Sequence, residues 1–137
     1  MPINADLDRL DGLIRTKVID PLAFAHIRSH LKTLRETRSF RYPELVDARE
    51  VTGMNGSMDE LKAVARTARN TLGHTHVADR AVLVDNDRAF RSARVVSSLT
   101  AGWMRLGVFM EEDDAENWLA ERKEWALPAS AEWHSDS

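Results

Sequence analysis

Two short runs near the start of the chain alternate between apolar and polar residues, as the two faces of a strand do. In residues 3–7 and 14–18, every second side chain is apolar or small, with one threonine among them. Asp11-Gly12, a dipeptide favoured in tight hairpin turns, lies between the two runs. The pattern therefore predicts two short antiparallel strands joined by a turn.

Two longer segments carry apolar residues at the three- and four-residue spacing of a helix. The first covers Leu22 to Thr37, and we expect Asp20 to cap it, with the proline that follows at the first helical position. The second begins after Ser57, which has the spacing of a capping box with Glu60. The chain thus predicts a helix after the hairpin and another after Ser57.

The remainder alternates between strand and helix patterns. Residues 45–48 and 81–84 are short apolar runs typical of strands buried on both faces. Asp87 is expected to cap a third helix, the alternation at 106–110 predicts a last strand, and the acids at 111–114 open a last helix.

Strands separated by single helices are expected to be parallel neighbours, while the opening hairpin adds an antiparallel pair. We therefore predict an α/β fold, a single domain with a mixed five-stranded sheet and about four helices in the order ββαβαβαβα. The domain is expected to cover residues 1–124. Residues 125–137 are small, polar and aperiodic for the most part, which predicts a flexible C-terminal tail.

Composition and charge narrow the functional classes. The formal net charge of −3 provides no overall basic field, so neither nucleic acid nor an anionic membrane is an expected partner, although the net charge leaves local basic patches open. The chain has no cysteine, which excludes disulfides and thiolate chemistry. No run approaches the length of a membrane span, and the N-terminus lacks the pattern of a signal peptide. We expect a cytoplasmic protein that does not insert into membranes.

Three stretches of the chain are distinctive when read with the predicted order of elements: PELVDAREVTGM, RAVLVDNDRAFRSARVVSSL and GVFMEEDDAENWL. They resemble the STAS-like (SpoIIAA-like) family, which is related to anti-sigma-factor antagonists and to certain lipid-binding folds. In the last stretch, Ala115 with Trp118 and Leu119 on one helix face follows the family's pattern. The resemblance implies a protein-interaction or regulatory domain with a protein partner or a second copy of itself, as a homo-oligomer.

The same resemblance implies a regulatory position at the helix after the third strand, where a partner kinase phosphorylates a serine in this family. Aligning MNGSMDEL with the family pattern places Gly56 at that serine and Ser57 one residue later. Ser57 is therefore a candidate phosphorylation position. Its capping-box spacing with Glu60 gives it a structural role that needs no regulation, and we expect the cap to be its main role.

Three acids, Asp47, Asp85 and Asp87, follow predicted strands at the sheet edge where open α/β folds gather ligands. They form a candidate acidic cluster and raise the alternative of a metal-dependent phosphohydrolase. The surrounding motif is incomplete, so we expect no catalytic residues, no cofactor and no metal site. The histidines of a helix and a loop are a weaker metal candidate: His26, His30, His74 and His76.

The third predicted helix is apolar over more than one stripe. Phe90, Val95, Leu99, Trp103 and Met104 form a candidate surface for a partner or an apolar ligand. The leading expectation is a non-catalytic protein-interaction domain that is not an enzyme. The alternative is a carrier of a lipid or another apolar small molecule, which would use the same residues.

Overall fold

The computed structural model describes residues 2–8, 10–52 and 57–121. These residues form an α/β fold with a five-stranded mixed sheet and four α-helices, which confirms the predicted class. The elements in chain order are β1 (Ile3–Asp8), β2 (Leu13–Ile19), α1 (Phe24–Glu36), a 3-10 turn (Ser39–Arg41), β3 (Glu44–Glu50), α2 (Met58–Leu72), β4 (Arg80–Leu83), α3 (Asp87–Thr100), β5 (Leu106–Phe109) and α4 (112–121). The predicted tail, 125–137, lies outside the described residues.

The strands lie in the sheet in chain order, from β1 at one edge to β5 at the other. β1 pairs antiparallel with β2, as the hairpin pattern predicted, and the next three pairings are parallel. Gly12 takes a positive φ of 64° in the hairpin turn, a conformation that suits glycine. The amide of Gly12 donates to the Asp8 carbonyl at 2.7 Å and closes the turn.

Helices pack on both faces of the sheet, because successive side chains of each strand point to opposite faces. α1, α2 and α3 contact one another in sequence and form a layer over one face. Leu34 and Leu72 from this layer pack with Ile14 of β2. On the opposite face, Ala115 and Leu119 of α4 pack with strand residues such as Leu45. The core is therefore split into a three-helix side and a one-helix side.

Two of the predicted helix starts are wrong. Asp20 does not cap α1: its carboxylate accepts from the amide of Thr52, and the Asp20–Pro21 peptide bond is cis. The helix begins instead at Phe24, with Ala23 as its N-cap. The predicted cap of α3 is one residue late, because the side chain of Asn86 accepts from the Ala89 amide at 2.9 Å.

The capping box at α2 and the inner face of α4 are confirmed. Ser57 Oγ accepts from the Glu60 amide, and the Glu60 carboxylate accepts from the Ser57 amide, both at 3.2 Å. Trp118 packs against Phe109 with ring centroids 5.5 Å apart. Gly107 permits this approach, since a Cβ there would lie 2.7 Å from the Phe109 ring.

Candidate functional site

A cavity of about 200 Å³, partly open to solvent, lies between the three-helix layer and the sheet. We call it the central cavity. Its floor is formed by alternate residues of the strands, and its roof by the inward residues of the helices. The lining residues include Val46, Ala48 and Val82 from the sheet and Ile27, Leu31, Val64, Ala68, Ala93 and Val96 from the helices. Nearly all of this surface is aliphatic.

The floor of the central cavity is less buried than the opposite face of the same strands. Val46 and Val82 are neighbours on the two central strands β3 and β4, yet each is only partly buried. Leu83, on the opposite face of β4, is fully buried. The helix layer therefore covers the sheet less completely at Val46 and Val82 than α4 and its neighbours cover the opposite face at Leu83.

Four polar side chains form a cluster in the wall of the central cavity: Thr16, His30, Glu44 and Arg80. Thr16 and Glu44 are 2% exposed and Arg80 is 4% exposed. Thr16 Oγ1 donates to Glu44 Oε2 at 2.5 Å, and His30 Nε2 donates to the same oxygen at 2.8 Å. Arg80 Nε lies 3.5 Å from Glu44 Oε1. We call this group the polar cluster.

The folded chain sets the ionisation of the polar cluster. Burial would by itself raise the pKa of Glu44, but the hydrogen bond from His30 and the charge of Arg80 hold that pKa below its ordinary value. Burial lowers the pKa of Arg80, and the negative charges of Glu44 and Asp79 oppose that shift. Glu44 is therefore a buried carboxylate that depends on its three partners.

Arg80 is bound to the backbone as well as to Glu44. Its Nη1 donates to the carbonyls of Tyr42 and Ala78. Its Nη2 is buried and has no hydrogen-bond acceptor among the described residues. These contacts fix the guanidinium in the wall of the central cavity, where it faces Glu44 across neighbouring parallel strands.

The three candidate acids do not come together. Asp47 accepts from Arg49 Nε at 3.0 Å and from Arg49 Nη2 at 2.9 Å, and this contact lowers the pKa of Asp47. Asp85 accepts from the side chain of Asn86 at 3.0 Å, and Asp87 is the first residue of α3. No group of three or more histidine or acidic side chains in the described ranges is arranged to hold a metal ion.

The four candidate histidines also differ in their positions and contacts. His26 Nδ1 accepts from the Ala23 amide at 2.9 Å and helps to cap α1, whereas His30 belongs to the polar cluster. His74 and His76 lie in the loop before β4 and are exposed.

The predicted α3 surface divides between core and solvent. Phe90 packs into the core near Val84, while Trp103 and Met104 pack near Leu34 and Leu72, so they are partly buried. Leu99 is 45% exposed and Val95 is partly exposed. Of the five, Leu99 is the one whose side chain is exposed to solvent. Of the five candidates, Met104 lines the central cavity.

A second hollow, of about 280 Å³, lies between the start of β2 and α4. Charged and apolar side chains line it. Two of them, Arg15 and Glu116, form an ion pair at 3.3 Å. Both side chains of that pair are more than a third exposed. This hollow is part of the solvated surface and is a weaker candidate than the central cavity.

Comparison of the chain with protein-family models gave no match, and comparisons with curated proteins and with solved structures gave none. None of the helices in the described ranges is long and apolar enough to cross a membrane.

Proposed function

We propose that this chain is a non-catalytic binding domain that holds a small apolar molecule in the central cavity. The observation that carries the proposal is the aliphatic cavity of about 200 Å³, partly open to solvent, between the helix layer and the sheet. A dry cavity of about 150 Å³ in another protein is large enough for benzene. By that comparison, a ligand on the order of eight to ten non-hydrogen atoms fits here.

The state of the polar cluster supports a binding role rather than a catalytic one. Glu44 has its carboxylate oxygens directed at Thr16, His30 and Arg80, so these groups pair with one another. A hydrolase needs a nucleophile or an activated water held beside a free base. Thr16 and Glu44 are each 2% exposed and Glu44 is paired with three protein side chains, which supports a structural role for the cluster in the cavity wall.

We also propose that the fold is STAS-like, on the strength of the three sequence stretches and the mixed sheet. A protein-interaction or regulatory role, with a protein partner or a second copy, is the second candidate function. The exposure of Leu99 on α3, at 45%, favours that candidate. Leu99→Asp should then weaken self-association in sedimentation-velocity measurements, and a wild-type chain that is monomeric throughout would contradict self-association.

Thermal unfolding with and without p-xylene tests the binding proposal. At ten times its dissociation constant, a ligand that binds only the folded state stabilises it by about 1.4 kcal/mol, or about 4 °C for a domain of this size. Ala93 is 5% exposed and lines the central cavity, so Ala93→Leu should fill part of the space and reduce the shift. Ala101→Leu, at an exposed position after α3, is the matched control and should keep the shift.

Two results would contradict the proposal. One is the absence of stabilisation by p-xylene and by a linear probe such as heptane. The other is a stabilisation that Ala93→Leu leaves unchanged, because the ligand would then be bound elsewhere. Native mass spectrometry of freshly purified protein independently detects, by its mass, any molecule that stays bound during purification.

A further inference from the structure

The outer surface of the three-helix layer is strongly basic although the chain as a whole carries a net charge of −3. We call this surface the helix-layer face. Each of its three helices contributes three cations at helical spacing, and all nine side chains are exposed. They are Arg28, Lys32, Arg35, Lys62, Arg66, Arg69, Arg88, Arg91 and Arg94.

The acids on these helices do not neutralise the cations. The four acidic residues, Glu36, Asp59, Glu60 and Asp87, lie at helix ends. Within the described part of the chain, none of the nine cations forms an ion pair with an acid. Exposed helix surfaces usually mix both signs of charge, since pairs of opposite charge four residues apart stabilise a helix. The helix-layer face therefore presents an uncompensated positive field.

The opposite side of the molecule carries the compensating negative charge. Residues 106–121 contain no basic side chain, and the acids at 111–114 are exposed where α4 begins. The cations described on the α4 side, Arg15, Lys17 and Arg49, each pair with an acid, unlike those of the helix-layer face. A negatively charged surface would attract the helix-layer face and repel the α4 side, which fixes the orientation of the molecule on that surface.

We propose that the helix-layer face binds the surface of an anionic lipid bilayer. Adjacent packed helices lie about 8–10 Å apart, so the outer rows of cations are on the order of 16–20 Å apart. That separation is comparable with the whole width of a nucleic-acid duplex, so a duplex would contact one or two rows at once. A planar layer of anionic headgroups can contact all three rows.

The apolar side chains around this face agree with an interfacial site. Phe24 and Met58, the first residues of α1 and α2, are 38% and 52% exposed. Apolar side chains at the rim of a basic surface can enter the headgroup region, whereas the centre of the face has no exposed aromatic ring on which bases would stack. This interaction does not depend on the binding proposed for the central cavity.

Cosedimentation with lipid vesicles tests the inference. The full chain should bind vesicles of equimolar phosphatidylglycerol and phosphatidylcholine, and should not bind vesicles of phosphatidylcholine alone. Binding should weaken steeply as salt rises, because salt screens exposed charges. Arg66→Gln with Arg91→Gln should lower the partition coefficient about tenfold or more, since each basic residue near an anionic surface contributes about 1 kcal/mol.

The matched control is Arg15→Gln with Lys17→Gln. It removes the same charge from exposed positions on the other face of the sheet, and should change the partition coefficient by less than about twofold. Circular dichroism checks that all variants keep the fold. Equal losses in the two double variants, equal binding to both vesicle types, or tighter binding to a DNA duplex than to anionic vesicles at the same salt would each overturn the inference.

Discussion

Replacing Glu44 with glutamine removes a buried negative charge while keeping the size of the side chain. Arg80 then faces a neutral amide at 3.5 Å instead of a carboxylate, in a site where it is 4% exposed. The hydrogen bond from Thr16 can be kept by the amide oxygen, but the charge that compensates the guanidinium is lost. The variant therefore isolates the electrostatic part of the polar cluster.

The expected loss is large. Removing one partner of a buried ion pair typically costs about 3–5 kcal/mol, because the remaining charge is left without compensation. Urea denaturation of Glu44→Gln at pH 7 should show a loss of about that size. A loss below about 1 kcal/mol would refute the reasoning, since it would show that Arg80 does not depend on Glu44 in the folded chain.

A double variant identifies the cause of the loss. Glu44→Gln with Arg80→Met removes both charges, and should be more stable than Glu44→Gln alone. Recovery should be partial, because Arg80 also donates to the carbonyls of Tyr42 and Ala78. If the double variant were less stable than Glu44→Gln by the full cost of Arg80→Met, the two charges would be energetically independent.

The remaining predictions concern pH, packing and capping. The pKa of Glu44 is depressed in the folded state, so the ionised carboxylate stabilises the fold fully above the ordinary pKa of 4.5, and this stabilisation is lost as the pH falls through the folded pKa. The free energy of unfolding of the wild type should therefore fall more steeply below about pH 4.5 than that of Glu44→Gln. Equal slopes in acid denaturation would contradict this. Trp118→Ala removes a partly buried ring that packs on Phe109, and should lower the free energy of unfolding in urea by about 2–3 kcal/mol. A loss below about 1 kcal/mol would mean that α4 packs differently. Ser57→Ala should cost about 1 kcal/mol by removing the cap that accepts from the Glu60 amide; unchanged stability, together with loss of a measured interaction in Ser57→Asp, would instead assign Ser57 to a regulatory site.

The features that the sequence predicts well are those decided within a few residues. The capping box at Ser57 needs an acid three residues later, and the inner face of α4 needs apolar residues at helical spacing. Where two neighbouring residues could both cap a helix, the local sequence pattern does not show which of them does. Asn86 caps α3 although Asp87 follows it, and the carboxylate of Asp20 bonds to Thr52 across the chain.

The central cavity and the polar cluster could not be predicted in the same way. Glu44 and Arg80 are 36 positions apart, and they face each other because β3 and β4 align in a register that pairs these two residues. Each is a charged residue directly before a short apolar run, which is the one local sign of a buried role. The cavity itself depends on the distance between the three helices and the sheet, and the sequence pattern of a single helix or strand carries no information about that distance.

Methyl NMR during a titration with p-xylene shows whether the central cavity takes up an apolar molecule. The methyl groups of Val46 and Val82 lie on the floor of the central cavity, whereas those of Leu45 pack against α4 on the other face. If p-xylene binds in the central cavity, the methyl signals of Val46 and Val82 should show saturable shift changes, with little change at Leu45. Absence of saturable change at the two valines, or larger changes on the α4 face, would contradict binding in the central cavity.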